Sequence, residues 1–221
     1  MALTITALTD EVAARYARLD LPSWPDPHPD REPATEGYSR VTDAPRYRIA
    51  QVRARLWADV LAEMLGVETT EVTPVARGVD RPRWIDRGTR LTAPTTGTLP
   101  LFLLERDVPQ DAGSPLPVLD VAVARPDIVV ADHPDCGCDA CDSGSRDLLE
   151  AVDSSIRQVV GGPFVMLRHR AWTAHWSPEG AGLAGEVDAD EVWGLCRALA
   201  AGQSPTLPHG TAAFVGMSWL R

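Results

Sequence analysis

Three cysteines lie close together in the segment 132–145. They are Cys136, Cys138 and Cys141, with the spacing C-x-C-x-x-C. Thiolates select zinc or another soft ion, and a structural zinc takes four tetrahedral ligands. The histidine nearest to the group is His133, three residues before Cys136. The spacing therefore indicates a metal site made by Cys136, Cys138, Cys141 and His133, with Zn2+ as the expected ion.

Other interpretations of this cysteine loop stay open at the level of sequence. The thiols could be packing groups of a structured loop, or two of them could form a disulfide or a redox pair. The fourth ligand could also come from elsewhere in the chain. Those alternative ligands are Cys196, His169, His175 and His209.

If zinc binds, the site could be structural or catalytic. A catalytic site keeps one position open for water and has a carboxylate nearby as the base. The loop carries four carboxylates, on Asp132, Asp135, Asp139 and Asp142. Three thiolates donate so much charge that the ion becomes a weaker Lewis acid, so we expect a structural site. The aspartates are then expected to be solvated turn residues, and their spacing does not match a calcium loop.

The elements around the loop predict an α+β protein. Apolar periodicity indicates four helices, over about residues 9–19, 45–65, 146–160 and 188–201. Short turns join the predicted strands between residues 90 and 131, which favours antiparallel pairing because parallel strands need long crossovers. We therefore predict an antiparallel sheet packed with about four helices. Its predicted domains are an N-terminal helix with a Pro-rich arm over residues 1–45, and a single α+β domain over residues 46–221.

Charge and hydropathy exclude several classes of function. The chain has 21 basic and 31 acidic residues, a formal net charge of −10. Such a charge repels phosphate backbones and anionic lipids, so neither nucleic acid nor membrane is an expected partner. The N-terminus has no basic region before an apolar run, and no apolar run reaches about 18 residues. We expect a cytoplasmic protein with reduced cysteines.

Two further motifs are candidates for a catalytic or a cofactor site. Residues 180–185 match G-x-G-x-x-G, but no acidic residue follows at the distance that a dinucleotide fold requires, so an ordinary flexible loop is expected. His169 and His175 flank two tryptophans on predicted strands, where one face of the sheet could line a cleft. Such a cleft, away from the cysteine loop, would favour an enzyme without metal.

Three segments carry a resemblance to a known family. They are His133–Ser145, with the letters CGCDACDSGS in it, Val160–Arg168, with the pattern VGGPFVxLR, and Phe214–Leu220. Together they resemble an uncharacterised actinobacterial family of unknown function, over about Tyr38 to the end of the chain. The resemblance implies membership and no activity.

These observations lead to two hypotheses about function. The first is a non-enzymatic cytoplasmic protein whose zinc-binding cysteine loop is structural, and which acts as a binding module for a protein or small-molecule partner. The second is a metal-dependent hydrolase that uses the same Cys, Asp and His residues. A full four-ligand shell favours the first hypothesis, whereas an open water-bound position near Asp135 or Asp139 favours the second.

Overall fold

The computed structural model describes residues 3–30, 32–73, 75–77, 83–111 and 113–220. Within these ranges the chain forms four α-helices and antiparallel sheets of five, four and two strands. The predicted α+β class and the predicted antiparallel pairing are confirmed. The strands are divided between separate sheets, whereas the sequence analysis predicted one.

The helices begin and end close to the predicted residues. They are α1 Ile5–Tyr16, α2 Arg48–Leu65, α3 Ser145–Gly161 and α4 Ala189–Ala200. The start of α1 differs most from the prediction, which placed it at residue 9. Thr4 is the N-cap, and its hydroxyl oxygen accepts a hydrogen bond from the amide of Ala7 at 3.2 Å. Gly66 ends α2 in the left-handed conformation, at φ 67°, as glycine commonly does.

The larger sheet has the order β1-β4-β5-β6-β7, and each neighbouring pair is antiparallel. Its members are β1 Glu68–Val72, β4 Arg87–Thr92, β5 Leu101–Val108, β6 Leu116–Val123 and β7 Val129–His133. The short strands β2 Val75–Arg77 and β3 Arg83–Ile85 form a separate ribbon. Helices α1, α2 and α3 contribute to one core with this sheet, through residues such as Val12, Trp57 and Ile156.

Strand β6 is buried along its whole length, although alternation of large apolar residues with smaller or polar ones is typical of a half-buried strand. One face packs into the main core. The other face, at Ala122, packs with Ile85, Phe102 and Leu104. Asp120 is completely buried in this strand and accepts hydrogen bonds from Arg106 Nε at 3.0 and 3.1 Å. Pairing with the guanidinium is what allows a carboxylate to lie in the interior.

The second sheet has the order β10-β9-β8-β11 and packs against α4. Its strands are β8 Phe164–Arg168, β9 Trp172–Ser177, β10 Gly180–Gly185 and β11 Ala212–Gly216. The G-x-G-x-x-G segment is therefore the edge strand β10, and the expectation of a flexible loop was wrong. Gly182 pairs with His175, and a Cβ on this glycine would lie 2.4 Å from the imidazole Cε1. The glycines thus permit a close packing of two strands.

We call residues 20–43, between α1 and the 3₁₀ turn Ala44–Tyr47, the arm. Trp24, a tryptophan inside this proline-rich segment, packs edge-on against Tyr47 with ring centroids 5.7 Å apart. Before the arm, Leu8 and Val12 of α1 lie completely buried in the main core.

None of the helices in the described ranges has the length and apolarity needed to span a bilayer.

Candidate metal centre

The cysteine loop connects the end of β7, at His133, to the start of α3, at Ser145. The sulfur atoms of Cys136, Cys138 and Cys141 all lie within 4.8 Å of one another. Cys136 Sγ is 3.2 Å from Cys138 Sγ. Two thiolates on a tetrahedral zinc are about 3.8 Å apart, given Zn–S bonds of about 2.3 Å. The three sulfurs are thus close enough together for one soft metal ion to contact all of them.

The group has one buried and two exposed thiols. Cys138 is buried, while Cys136 and Cys141 are exposed. These two exposed cysteines line a cavity of about 370 Å³ together with His133 and Asp135. An ion can therefore reach the sulfurs from solvent without any movement of the core.

Hydrogen bonds within the group change the pKa values of two of its thiols in opposite directions. Burial raises the pKa of Cys138, but hydrogen bonds from the thiols of Cys136 and Cys141 and from the amides of Cys141 and Ala140 outweigh it and lower this pKa. Hydrogen bonds with Cys138 and Cys136, followed by burial and the nearby sulfur charge, raise the pKa of Cys141 to about 12. Of Cys138 and Cys141, the buried Cys138 is therefore the more acidic thiol and ionises first.

The backbone of the loop is fixed by short-range contacts. Asp135 Oδ1 accepts a hydrogen bond from the amide of Cys136 at 2.7 Å, and the carbonyl of Cys138 accepts one from the amide of Cys141 at 3.0 Å. Gly137 lies against Leu116, where an added Cβ would be 2.5 Å from Cδ2. Only glycine allows this part of the loop to pack so closely on β6.

His133 lies outside the group of three sulfurs, at the end of β7. Its Nε2 is 2.9 Å from Ser155 Oγ, and this hydroxyl donates its own proton to the carbonyl of Ala151 at 3.0 Å. With the hydroxyl proton directed to Ala151, Nε2 donates to Ser155 and the lone pair of the imidazole lies on Nδ1. Burial lowers the pKa of His133 to about 4, against the opposing charges of Asp132 and Asp135. The imidazole is neutral at pH 7, as a metal ligand must be.

The structure does not bring the alternative fourth ligands into the group. Cys196 is buried in α4 among Val165 and Val192, and burial raises its pKa to about 11. His175 stacks on Phe164, with ring centroids 6.0 Å apart. His169 lies beside Trp172, and His209 is exposed. Within the described ranges, the cluster of ligand atoms consists of the three loop thiols.

Asp139 connects the loop to the arm. Its carboxylate accepts hydrogen bonds from the amide of Thr42 at 2.8 Å, the hydroxyl of Thr42 at 2.6 Å and Arg40 Nε at 2.6 Å. Although burial raises the pKa of Asp139, these bonds hold it below its ordinary value. The amide of Asp139 donates to the carbonyl of Arg40, and the amide of Ala140 donates to the carbonyl of Gly37.

Asp142 makes a second connection, and it is almost completely buried. Its carboxylate accepts the indole N–H of Trp24 at 2.9 Å, the guanidinium of Arg46 and the amide of Gly144. The expectation that these aspartates are solvated turn residues was therefore wrong for Asp139 and Asp142. The only sequence signal for these contacts was a tryptophan inside a proline-rich segment.

The start of α3 also contacts the arm. A serine directly before an amphipathic helix is typical of an N-cap, but Gly144 occupies the cap position here. Ser145 Oγ instead donates to the carbonyl of Trp24 at 3.0 Å. Gly144 has φ +90°, and a Cβ there would lie 2.6 Å from the backbone nitrogen of Asp26. The arm, the cysteine loop and the first turn of α3 thus pack together at this end of the molecule.

Comparisons with known proteins extend the resemblance noted in the sequence. Residues 10–221 match the family of unknown function DUF6226, so the match includes the arm, which the three motifs did not. No curated protein and no solved structure matches the chain. The chain belongs to DUF6226, a family of unknown function.

Proposed function

We propose that the cysteine loop binds one Zn2+ ion as a structural site, with Cys136, Cys138 and Cys141 as thiolate ligands and His133 as the fourth. The observation that carries the proposal is the grouping of three sulfur atoms within 4.8 Å on one short loop. Thiolates prefer soft or borderline ions, and zinc is the common ion bound by three cysteines and one histidine. The ion joins the end of β7 to the start of α3.

His133 has the properties of a ligand that completes the shell. We assign the imidazole proton to Nε2, which then donates to Ser155 Oγ and leaves the lone pair on Nδ1 for the ion. Zinc-bound histidines ordinarily donate their second N–H to such a neighbour, which orients the ring. His133 lines the same cavity as Cys136 and Cys141, which is why we propose this histidine as the fourth ligand.

A structural role agrees with the carboxylates around the loop. Asp139 and Asp142 are held by the arm, so neither is available as a general base. Three thiolates also reduce the Lewis acidity of zinc. We propose that the protein works in the reducing cytoplasm as a binding module without enzymatic activity, and that the zinc maintains the shape of the surface formed by the arm and the loop.

Metal analysis of protein purified without added zinc tests this proposal. We expect about one zinc per chain, and X-ray absorption at the zinc edge should give three sulfur neighbours and one nitrogen. The variant Cys138→Ser should lose the metal, whereas Cys196→Ser is a matched control with a buried thiol far from the loop. Metal-free protein that also fails to bind added zinc would refute the proposal.

The second candidate function is a metal-dependent hydrolase, and one observation favours it. The cysteines Cys136 and Cys141 line a cavity of about 370 Å³, and Asp135, which also lines it, is a candidate base. In that case the zinc has three sulfur ligands and one water, and His133 stays bonded to Ser155. A zinc-edge spectrum with oxygen as the fourth neighbour, unchanged in His133→Asn, would select the hydrolase.

A further inference from the structure

The arm accepts hydrogen bonds from the backbone between Cys138 and Cys141, two of the proposed zinc ligands. The amides of Asp139 and Ala140, which lie between Cys138 and Cys141, donate to the arm carbonyls of Arg40 at 2.7 Å and Gly37 at 3.2 Å. Gly37 also packs on Ala140, because a Cβ there would lie 3.2 Å from the Ala140 Cβ. The turn that holds these two sulfurs is therefore shaped by the arm as well as by its own sequence.

The same arm is held by side chains of the loop. Thr42 and Arg40 donate to the carboxylate of Asp139, and Trp24 donates to Asp142, the residue directly after Cys141. His28 Nε2 is 3.0 Å from the carbonyl oxygen of Asp139. The contacts thus run in both directions across one interface, and they end within one residue of Cys138 and Cys141.

We infer that zinc binding and docking of the arm are thermodynamically coupled, so that metal occupancy controls whether the arm lies on the cysteine loop. This inference rests on the proposed function. Zinc bound to both Cys138 and Cys141 would restrict the turn between them, and the amides of Asp139 and Ala140 in this turn donate to the arm. A coupling free energy is reciprocal, so a docked arm raises the affinity for zinc by the same factor.

Undocking of the arm uncovers an apolar surface. Trp24 and Val41 of the arm pack on a buried cluster that includes Tyr47, Leu116 and Val118. Arg46 lies over the Trp24 ring at 4.7 Å and pairs with Asp142, so it joins this cluster to the loop. Loss of zinc therefore converts a covered apolar cluster into an exposed one, and the metal acts as the regulator of that surface.

Hydrogen exchange of the full chain tests the coupling in one direction. Four of the amides that donate across the interface between the arm and the loop are those of Thr42, Asp139, Ala140 and Ser145. Their exchange should slow by about 10-fold when zinc is added to the dialysed protein, because the arm then undocks less often. The amide of His169, which donates to Trp172 in the second sheet, is the control and should not change.

Variants of the arm test the coupling in the other direction. The double variant Arg40→Ala, Thr42→Val removes side-chain bonds to Asp139 without touching a proposed ligand. Its zinc affinity, measured against a chromogenic chelator, should fall by about 10-fold, as for partners that orient metal ligands. The control double variant Arg168→Ala, Thr98→Val loses comparable bonds far from the loop and should keep the affinity of the natural sequence.

The outcomes separate the two proposals. If zinc does not bind to the natural sequence, the proposed function fails. If zinc binds, but the four interface amides exchange at the same rate with and without it, the coupling alone is refuted. Unchanged zinc affinity in the folded arm variant would refute it as well. If that variant does not fold, the exchange experiment on the natural sequence still decides.

Discussion

The indole N–H of Trp24 lies 2.9 Å from Oδ1 of Asp142, and the two residues are separated by 118 positions in the chain. Asp142 is buried, and it directly follows the last cysteine of the loop. The pair therefore fixes the proline-rich arm to the side of the proposed metal centre. Contacts of this kind, between segments that are far apart in the chain, hold the arm against the cysteine loop.

Replacement of Trp24 by phenylalanine should destabilise the protein by about 2 kcal/mol, because it removes a hydrogen bond to a charged and buried acceptor. The aromatic packing on Tyr47 is largely kept. Urea denaturation followed by circular dichroism measures the free energy of unfolding. Trp193→Phe, on the half-buried face of α4, is the control and should cost less than about 1 kcal/mol. Equal losses in the two variants would contradict the role given to Asp142.

Gly144→Ala should disrupt docking of the arm on α3. The added Cβ would lie 2.6 Å from Asp26 N and 2.9 Å from the carbonyl carbon of Pro25. Gly113 has a similar φ, +91°, and an added Cβ there meets nothing within 4 Å. Gly113→Ala should therefore cost about 1 kcal/mol for the left-handed backbone alone. Gly144→Ala should cost about 2 kcal/mol more, from the clash with the arm. Thermal unfolding of both variants gives the difference, and losses of the same size would show that the arm yields freely at this position.

Asp153→Asn should be strongly destabilising. Asp153 accepts bonds from Arg53 Nε at 2.9 Å and Trp57 Nε1 at 2.7 Å in the interior between α2 and α3. Neutralising it leaves a buried guanidinium without a counter-charge, which costs about 3 kcal/mol. The exposed pair of Glu150 and Arg157 is the control, and Glu150→Gln should change the free energy of unfolding by less than about 0.5 kcal/mol. A small effect of Asp153→Asn in denaturant unfolding would mean that the Arg53 charge finds other partners.

His175 should contribute a pH dependence to stability. Burial against Phe164 lowers its pKa from the ordinary value. The unfolded chain, with a histidine pKa of about 6.5, then binds more protons than the folded chain below that pH, so the free energy of unfolding falls as the pH is lowered from about 7.5 to about 5. His175→Asn should show a smaller fall over this range. Denaturant unfolding at several pH values checks this, and parallel curves for the two proteins would refute it.

Much of the fold follows from local sequence patterns. The apolar periodicity of residues 45–65 and 146–160 is sufficient to place α2 and α3, because each pattern repeats within one element. Short turns between alternating segments predict antiparallel pairing for the same reason. The burial of β6 was not predictable, since the layer that covers Asp120 and Ala122 comes from other parts of the chain.

The sequence by itself determined the group of three thiols that could hold a metal ion, because Cys136, Cys138 and Cys141 lie within six positions of one short loop. Only the tertiary structure decided what surrounds that group. Asp139 and Asp142 have their partners about 100 residues earlier in the chain, and no local pattern records which distant segment folds back onto them. Periodicity and spacing describe forces between near neighbours, whereas the contact between the arm and the loop exists only once both segments have been positioned by the same packed core.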